Sequence, residues 1–419
     1  MGVNIIKFNK DLNDLISRMK KRIRLSMVIE TDILYGGGTE KTILAYNKYI
    51  DRDEFDIRIF DTNIIDRKRL SIDEVRGIYN LSGTEKIIFP GILNNLLVDR
   101  KKGLSSQRRS ISKDLYLIYS IVLKFFSLHI FNRKKLKKLM ESDVIYVLSD
   151  YQIFYLVIPI RIFSGKRIKF IFGTHNYLPI ERRFLNRIEN KFIGKFIDAI
   201  HYTSPAIFNL SSIKRESDFI VPSGVDTQKF RPLEKKGDRI KFLFVGRLVE
   251  YKGIRELLEA WSLFPKRDDS ELHIVGTGEM EHLVRDYVSR VNGIVYHGFV
   301  SEEELPSIYG ECDILVFPTY GIRHDEYFGL VVIEALSSGE YVILGEGMRG
   351  VFDYFEREGV LEYTSTSPED IKNRMLNSYM NIGKLRERVL GMRDYIVKNY
   401  DWKNIAKQFS ENVKKILKN

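Results

Sequence analysis

Cysteine is almost absent from this chain: one residue, Cys312, in 419. No intramolecular disulfide framework can form, and a cysteine-built zinc cluster is excluded. Cys312 precedes an apolar run and reads as a small buried side chain. Long hydrophobic runs are missing too: no stretch of about 18 residues is apolar enough to span a bilayer. The opening residues, MGVNIIKFNKDLNDLI, interrupt every apolar run with charge and do not read as a secretory leader. Met1-Gly2 could suggest myristoylation, but Ile6 stands where that signal needs Ser or Thr. Glutamine is scarce, four in all, as in heat-adapted chains. The expectation is a cytoplasmic, globular protein.

What is present is length and basic charge. The chain is long enough for two domains, each with its own core. Net charge is +11, and between Asp99 and Met140 twelve Lys or Arg against two Asp give +10. Nearly the whole excess sits in that segment, on both sides of the apolar run Leu115 to Phe131. Basic flanks around an apolar helix too short to span suit an anionic membrane surface. A core helix with solvated basic flanks fits the same residues. Nucleic acid is not expected, since the aromatics lie within one apolar helix rather than along a groove.

Apolar strands alternate with helices along the whole chain. RLSMVIET (24–31), FDIRIF (55–60), EKIIFP (85–90), DVIYVLSD (143–150), KFIFGTHN (169–176) and DAIHYTS (198–204) read as strands of a first series. After the polar linker RPLEKKGDR a second series follows: IKFLFVG (240–246), ELHIVGTG (271–278), IVYHGFV (294–300), ILVFP (314–318) and YVIL (341–344). This rhythm implies right-handed βαβ units and parallel sheets. A terminal helix runs from about Tyr400 to Asn419. Asp51-Arg52-Asp53 imitates a metal-binding Asp-x-Asp, but it precedes a strand rather than following one, and reads as a solvated turn. No metal site is placed.

In doubly wound sheets, ligands bind beyond the carboxyl ends of strands. The residues with chemistry obey that rule. Gly36-Gly37-Gly38 follow the first strand and precede a helix, which lets backbone N–H groups approach an anion. His175 ends KFIFGTHN. Gly246-Arg247-Leu248 and Lys252-Gly253 follow IKFLFVG. Glu326, Phe328, Gly329 and Leu330 follow ILVFP and lead into the helix VVIEALSSG, which carries Glu334. A helix N-terminus beside two cations suits a diphosphate, and carboxylates can accept hydrogen bonds from sugar hydroxyls. From spacing alone, ordinary surface or capping glutamates fit the pair as well.

The paired glutamates around Phe328-Gly329-Leu330, together with Gly246-Arg247-Leu248 and Lys252-Gly253, resemble the donor site of retaining glycosyltransferases of family 4. FIVPSGVDTQKFRP (219–232) is similar to that family's Pro-Asn-Gly-Val-Asp segment, with Ser223 in place of Asn. The resemblance implies a GT-B fold: two Rossmann-like, doubly wound parallel-sheet domains facing a cleft. Residues 1–218 with about 400–419 would form the acceptor-side domain, and 219–399 the donor domain. It implies transfer of a sugar from a UDP- or GDP-sugar, with retention and without metal, to a glycan or lipid-linked acceptor. The nucleotide-sugar is a substrate, so no cofactor is expected.

The resemblance also assigns roles. Glu334 would bind the ribose hydroxyls, and Glu326 the sugar. Backbone N–H groups at Phe328, Gly329 and Leu330 would meet the sugar and phosphates. Arg247 and Lys252 would hold the diphosphate, Gly246 would shape their loop, and His175 would lie near the reacting sugar. The Gly36–Gly38 loop would face acceptor and phosphates. Departures are Glu340, where the family has Pro, and Met348 to Asp353, where it has Gly-Gly-x-x-Glu. A sugar-nucleotide epimerase of the same fold and a non-catalytic nucleotide-sugar-binding protein are the rival readings. Peripheral attachment at the inner face of the cell membrane is the expectation for the basic segment.

Overall fold

In the computed structural model the described residues are 22–29, 38–61, 84–86, 121–122, 124–148, 152–165, 167–175, 184–234, 238–265, 267–321 and 328–418. The chain divides into two compact units. The first holds Met1–His201, Ser211–Phe219 and Ala406–Asn419; the second holds Tyr202–Leu210 and Ile220–Ile405.

The first unit is built on a parallel sheet of β1 (Ile23–Ile29), β2 (Phe55–Asp61), β3 (Thr84–Lys86), β4 (Val144–Val147), β5 (Lys169–Gly173), β6 (Ala199–Tyr202) and β7 (Phe219–Ile220). Its order is β3-β2-β1-β4-β5-β6-β7, so the direction of winding reverses between β1 and β4. The second sheet contains β8 (Ile240–Val245), β9 (Ser270–Val275), β10 (Ile294–Gly298), β11 (Ile314–Phe317), β12 (Tyr341–Gly345) and β13 (Leu361–Thr364). Its order is β10-β9-β8-β11-β12-β13, which reverses between β8 and β11. Each reversal is a topological switch point, where crossovers diverge to opposite faces and leave a crevice at the strand ends.

The sequence forms these sheets because the central strands are covered on both faces. Every residue of β4, β11 and β12 is buried, as near-continuous apolar runs require. Cys312 is also fully buried. An aspartate locks each switch point in the same way. Asp143, just before β4, accepts the Arg24 N–H through its carboxylate at 2.9 Å. Asp313, just before β11, accepts the Lys241 N–H likewise at 2.9 Å. The two halves thus repeat one device that links the first strand of each sheet to the strand across its reversal.

The amphipathic helix Trp402–Lys418 buries Ile405, Ala406, Phe409, Val413 and Ile416, the i, i+4 stripe of a helix packed on one side. Asp51-Arg52-Asp53 forms a turn in which the Asp51 carboxylate accepts the Asp53 N–H at 2.8 Å. The strand expected at 85–90 begins at Thr84 and is described to Lys86; 87–90 lie outside the described residues. Of the apolar run Leu115–Phe131, the described part is helical and ends in a wider turn, Ser127–Phe131. Lys124, which interrupts that run in sequence, is buried with its ammonium 5.5 Å from the Tyr155 ring centroid, whereas Val122, Phe125, Phe126 and Ile130 are exposed. The run therefore does not turn its whole apolar face to the core.

Candidate active site

The crevice at the β8/β11 reversal collects the candidates on the second unit. β8 ends at Val245, and the following loop is pinned at three points. The Gly246 N–H donates to Val275 O at 3.0 Å. Leu248, fully buried, donates its N–H to Thr277 O at 3.0 Å and accepts the Met280 N–H at 2.9 Å. Gly253 then turns in the left-handed region, φ 74°, and a Cβ there would lie 2.2 Å from Pro318 O. A similar squeeze holds Gly276, φ 131°, where a Cβ would lie 1.9 Å from Gly246 O. Glycine is required at both positions because backbone meets backbone.

These constraints throw Arg247 outward and Lys252 inward. Arg247 is exposed and donates from Nη2 to the Tyr251 hydroxyl at 2.6 Å. Lys252 is half-buried, its ammonium 5.2 Å from the Tyr251 ring centroid and 4.9 Å from that of Phe317. Burial and the neighbouring Arg247 charge push its pKa down to about 7. Two adjacent cations, one of them poised to gain or lose a proton near neutrality, are chemically suited to an anion.

The strand across the reversal closes the other side. The carbonyl of Tyr251 accepts both the Tyr320 N–H at 2.9 Å and the Thr319 hydroxyl at 3.1 Å. Tyr320 donates its hydroxyl to Glu256 at 2.8 Å. The helix Leu330–Ser338 starts from Gly329, which is left-handed at φ 66° and supplies no side-chain cap. The Val332 N–H donates back to Gly329 O at 3.0 Å, while those of Leu330 and Val331 have no acceptor within the helix. Phe328 packs against Phe352, with ring centroids 5.2 Å apart. Glu334 is buried in this helix and accepts the Tyr309 hydroxyl at 3.0 Å. Arg247, Lys252, Phe328, Gly329 and Leu330 thus all follow the carboxyl ends of adjacent strands. Glu326 lies outside the described residues.

On the first unit, His175 follows the carboxyl end of β5. Its Nε2 lies 3.0 Å from the Tyr146 hydroxyl, which is 2.8 Å from Nδ1 of His201. Burial, and the nearby His201, hold the His175 pKa well below its ordinary value. Gly38 begins the helix Gly38–Tyr49; Gly36 and Gly37 lie outside the described residues. Motif reading did not find Tyr146, Tyr251, Tyr320 or His201. They touch the candidates across strands and loops, and only the parallel register of β4, β5 and β6 could have pointed to the first and last.

Comparison with known proteins bears on the same region. Residues 225–390 match the family model described as glycosyl transferases group 1. An uncharacterised glycosyltransferase of Methanocaldococcus jannaschii is 30% identical over 202 residues, covering 44% of this chain and 47% of that protein. A second from the same organism is 24% identical over 435 residues, covering 95% of this chain and 100% of that protein. The chain thus spans about half the length of the first relative and all of the second. The Anabaena HepE protein, solved with UDP and glucose, superposes with a TM-score of 0.68 at 14% identity, over 94% of this chain and 100% of that one. That likeness extends the GT-B fold across both units. Residues 225–390, within the second unit, are thus similar to the group 1 glycosyltransferases.

Proposed function

We propose that the chain transfers a sugar from a UDP- or GDP-sugar to an acceptor hydroxyl, with retention of configuration and without a metal ion. The observation that carries this reading is the pair Arg247 and Lys252, presented by glycine-fixed turns at the switch point whose other strand leads into Leu330–Ser338, a helix without a side-chain cap. Charge develops on the diphosphate as the glycosidic bond breaks. Two cations and a helix N-terminus can stabilise it without a divalent ion. In the proposed step the bond from the anomeric carbon to the leaving phosphate breaks and a bond to the acceptor oxygen forms on the same face. The acceptor proton passes to the leaving phosphate. Glu334 would bind ribose, Glu326 the sugar, and backbone N–H groups at Phe328, Gly329 and Leu330 the phosphates and sugar; these roles, like that of His175, rest on the family resemblance. Incubation with UDP-glucose and GDP-mannose in EDTA tests the reading. Transfer or slow donor hydrolysis should persist, and activity lost in EDTA but restored by manganese would overturn metal independence.

A lipid-linked acceptor is the finer reading. Exposed Val122, Phe125, Phe126 and Ile130 lie at helical spacing on one face, and exposed Arg133, Lys134 and Lys137 follow in the helix Arg133–Met140. No helix among the described residues is long and apolar enough to cross a membrane. Apolar side chains flanked by lysines and arginines suit the headgroup region of an anionic bilayer.

A further inference from the structure

We propose that Tyr146 and His201 are positioning residues for His175, tying its imidazole tautomer to that of His201 through a two-link hydrogen-bond chain. The proposal deepens the glycosyl-transfer reading and rests on it for what His175 would touch.

Three adjacent strands supply the chain. Tyr146 comes from β4, His175 follows β5, and His201 comes from β6. The parallel register pairs Tyr146 with Ile171 and Gly173 with His201. The links are Nε2 of His175 to the Tyr146 hydroxyl, 3.0 Å, and that hydroxyl to Nδ1 of His201, 2.8 Å. Tyr146 and His201 are wholly buried. A Cβ at Gly173 would lie 2.2 Å from the Tyr146 oxygen, so the strand keeps a glycine where the hydroxyl passes. Thr174 holds the far end: its N–H and its hydroxyl both donate to His201 O, at 3.0 and 3.2 Å. His201 stacks on Phe219 at 5.0 Å, and Phe409 packs against both His201 and Tyr146. The Tyr46 ring also lies near, 6.5 Å from His201.

Proton arithmetic gives the chain its consequence. Burial disfavours every charged form here, pushing both the Tyr46 and Tyr146 phenols up and His175 down. A neutral imidazole has one N–H and one bare nitrogen, and a phenol has one O–H. The Tyr146 proton therefore points toward one histidine, and the other histidine must donate to the phenol oxygen. Either direction gives both histidines the same tautomer, Nε2–H when Tyr146 donates to His201 and Nδ1–H when it donates to His175. Nδ1 of His175 then changes character toward a sugar hydroxyl, donor or acceptor, only together with the Tyr146 proton and His201. An untethered imidazole would exchange alone.

Two measurements on the full chain test this. In histidine-¹⁵N-labelled protein, two-bond ¹⁵N–¹H spectra between about pH 6 and 8 should show the same neutral tautomer ratio in His175 and His201. Tyr146→Phe should leave His201 buried but give His175 a tautomer ratio that no longer follows that of His201. It should also lower kcat for UDP-glucose or GDP-mannose turnover by about 10- to 100-fold, as loss of an orienting partner does at metal-bound histidines, with the donor KM within about twofold. His201→Asn, which returns a polar atom near Nδ1, should recover most of the turnover that His201→Leu loses, and it stands in where Tyr146→Phe does not fold. An unchanged His175 tautomer ratio and kcat in Tyr146→Phe, or unequal tautomer ratios at His175 and His201 in the wild type, overturns the proposal. Should the wild type turn over neither donor, the transfer reading fails on those substrates, while the spectra alone still decide whether Tyr146 couples His175 to His201.

Discussion

The ammonium of Lys252 lies over the ring of Phe317, 4.9 Å from its centroid, on the strand across the topological reversal from β8, which Lys252 follows. An aromatic face attracts a cation, yet it does not replace the water removed by burial. With Arg247 close by, the Lys252 pKa falls to about 7. An arriving diphosphate supplies the opposite charge and should raise it toward the ordinary lysine value.

Donor binding should therefore take up a proton above neutrality. The nucleotide-sugar diphosphate is a diester that stays ionised through this range, so Lys252 is the group that responds. Affinity should be greatest below about pH 7 and fall as pH rises through the free-enzyme value, by up to about tenfold per unit. Calorimetric titration with UDP-glucose at pH 8, in two buffers of different ionisation heat, reads the proton directly. Lys252→Met should abolish the uptake; equal heats for the wild type in both buffers would remove Lys252 from the anion site. The folding linkage has the matching sign. The unfolded lysine binds more protons between about 7 and 10.5, so this group's unfavourable contribution to stability is greatest below pH 7 and is relieved as pH rises through that window.

Arg247→Ala should separate function from stability. Its side chain is exposed and makes one hydrogen bond, to the Tyr251 hydroxyl, so the melting temperature should stay within a degree or two of wild type. Loss of a cation that meets developing charge typically lowers kcat by about 10²–10³. Arg247→Ala, and Arg247→Ala with Lys252→Ala, should both show that loss in donor turnover. Near-normal kcat in the double variant would place the diphosphate elsewhere.

Gly253→Ala and Gly276→Ala probe the loop that presents both cations. The new Cβ atoms would meet the carbonyl oxygens of Pro318 and Gly246 at 2.2 and 1.9 Å, so backbone must move. A non-glycine residue in the left-handed region alone costs about 1–2 kcal/mol, and the collision adds to it. Thermal unfolding should show both losses, and UDP-glucose should protect either variant less than wild type. A Gly253→Ala protein with wild-type melting and protection would show that the turn is not constrained as described.

Much of this was legible in sequence, for a physical reason. Buried parallel strands need continuous apolar runs, so FLFV of β8 and ILVF of β11 announce themselves, and the strand–glycine–helix order points to the ends where ligands bind. Cys312 reads as buried and is. Local pattern did not reveal contacts made across strands. Nothing near Glu334 in the chain announces Tyr309, twenty-five residues before it, as the donor to its carboxylate. Nor does the triplet Gly-Thr-His show that Tyr146 from the neighbouring strand fills the space over Gly173. The fate of Lys124 was also out of reach, since a lysine in an apolar helix reads as an interruption until a tyrosine ring is found beneath its ammonium.

The exposed apolar residues of the first unit give the last prediction. Phe126 and Ile130 are half-exposed, at 50% and 49%, next to a helix with Arg133, Lys134, Lys135, Lys137 and Lys138. On an anionic bilayer each basic residue contributes about 1 kcal/mol, screened by salt, and burying one phenylalanine ring adds about 1.5–3 kcal/mol. The chain should sediment with vesicles rich in phosphatidylglycerol at low salt, and release as salt rises past the point where the Debye length falls to about 8 Å. Reversing the five basic residues to Glu should abolish sedimentation. Phe125→Ser with Phe126→Ser should weaken it while preserving its salt dependence, because the two terms are independent. Donor hydrolysis should survive in both variants, since neither touches Arg247 or Lys252. Wild-type protein that stays in the supernatant at low salt would rule out docking through this surface, and a soluble acceptor would then be the better substrate to seek.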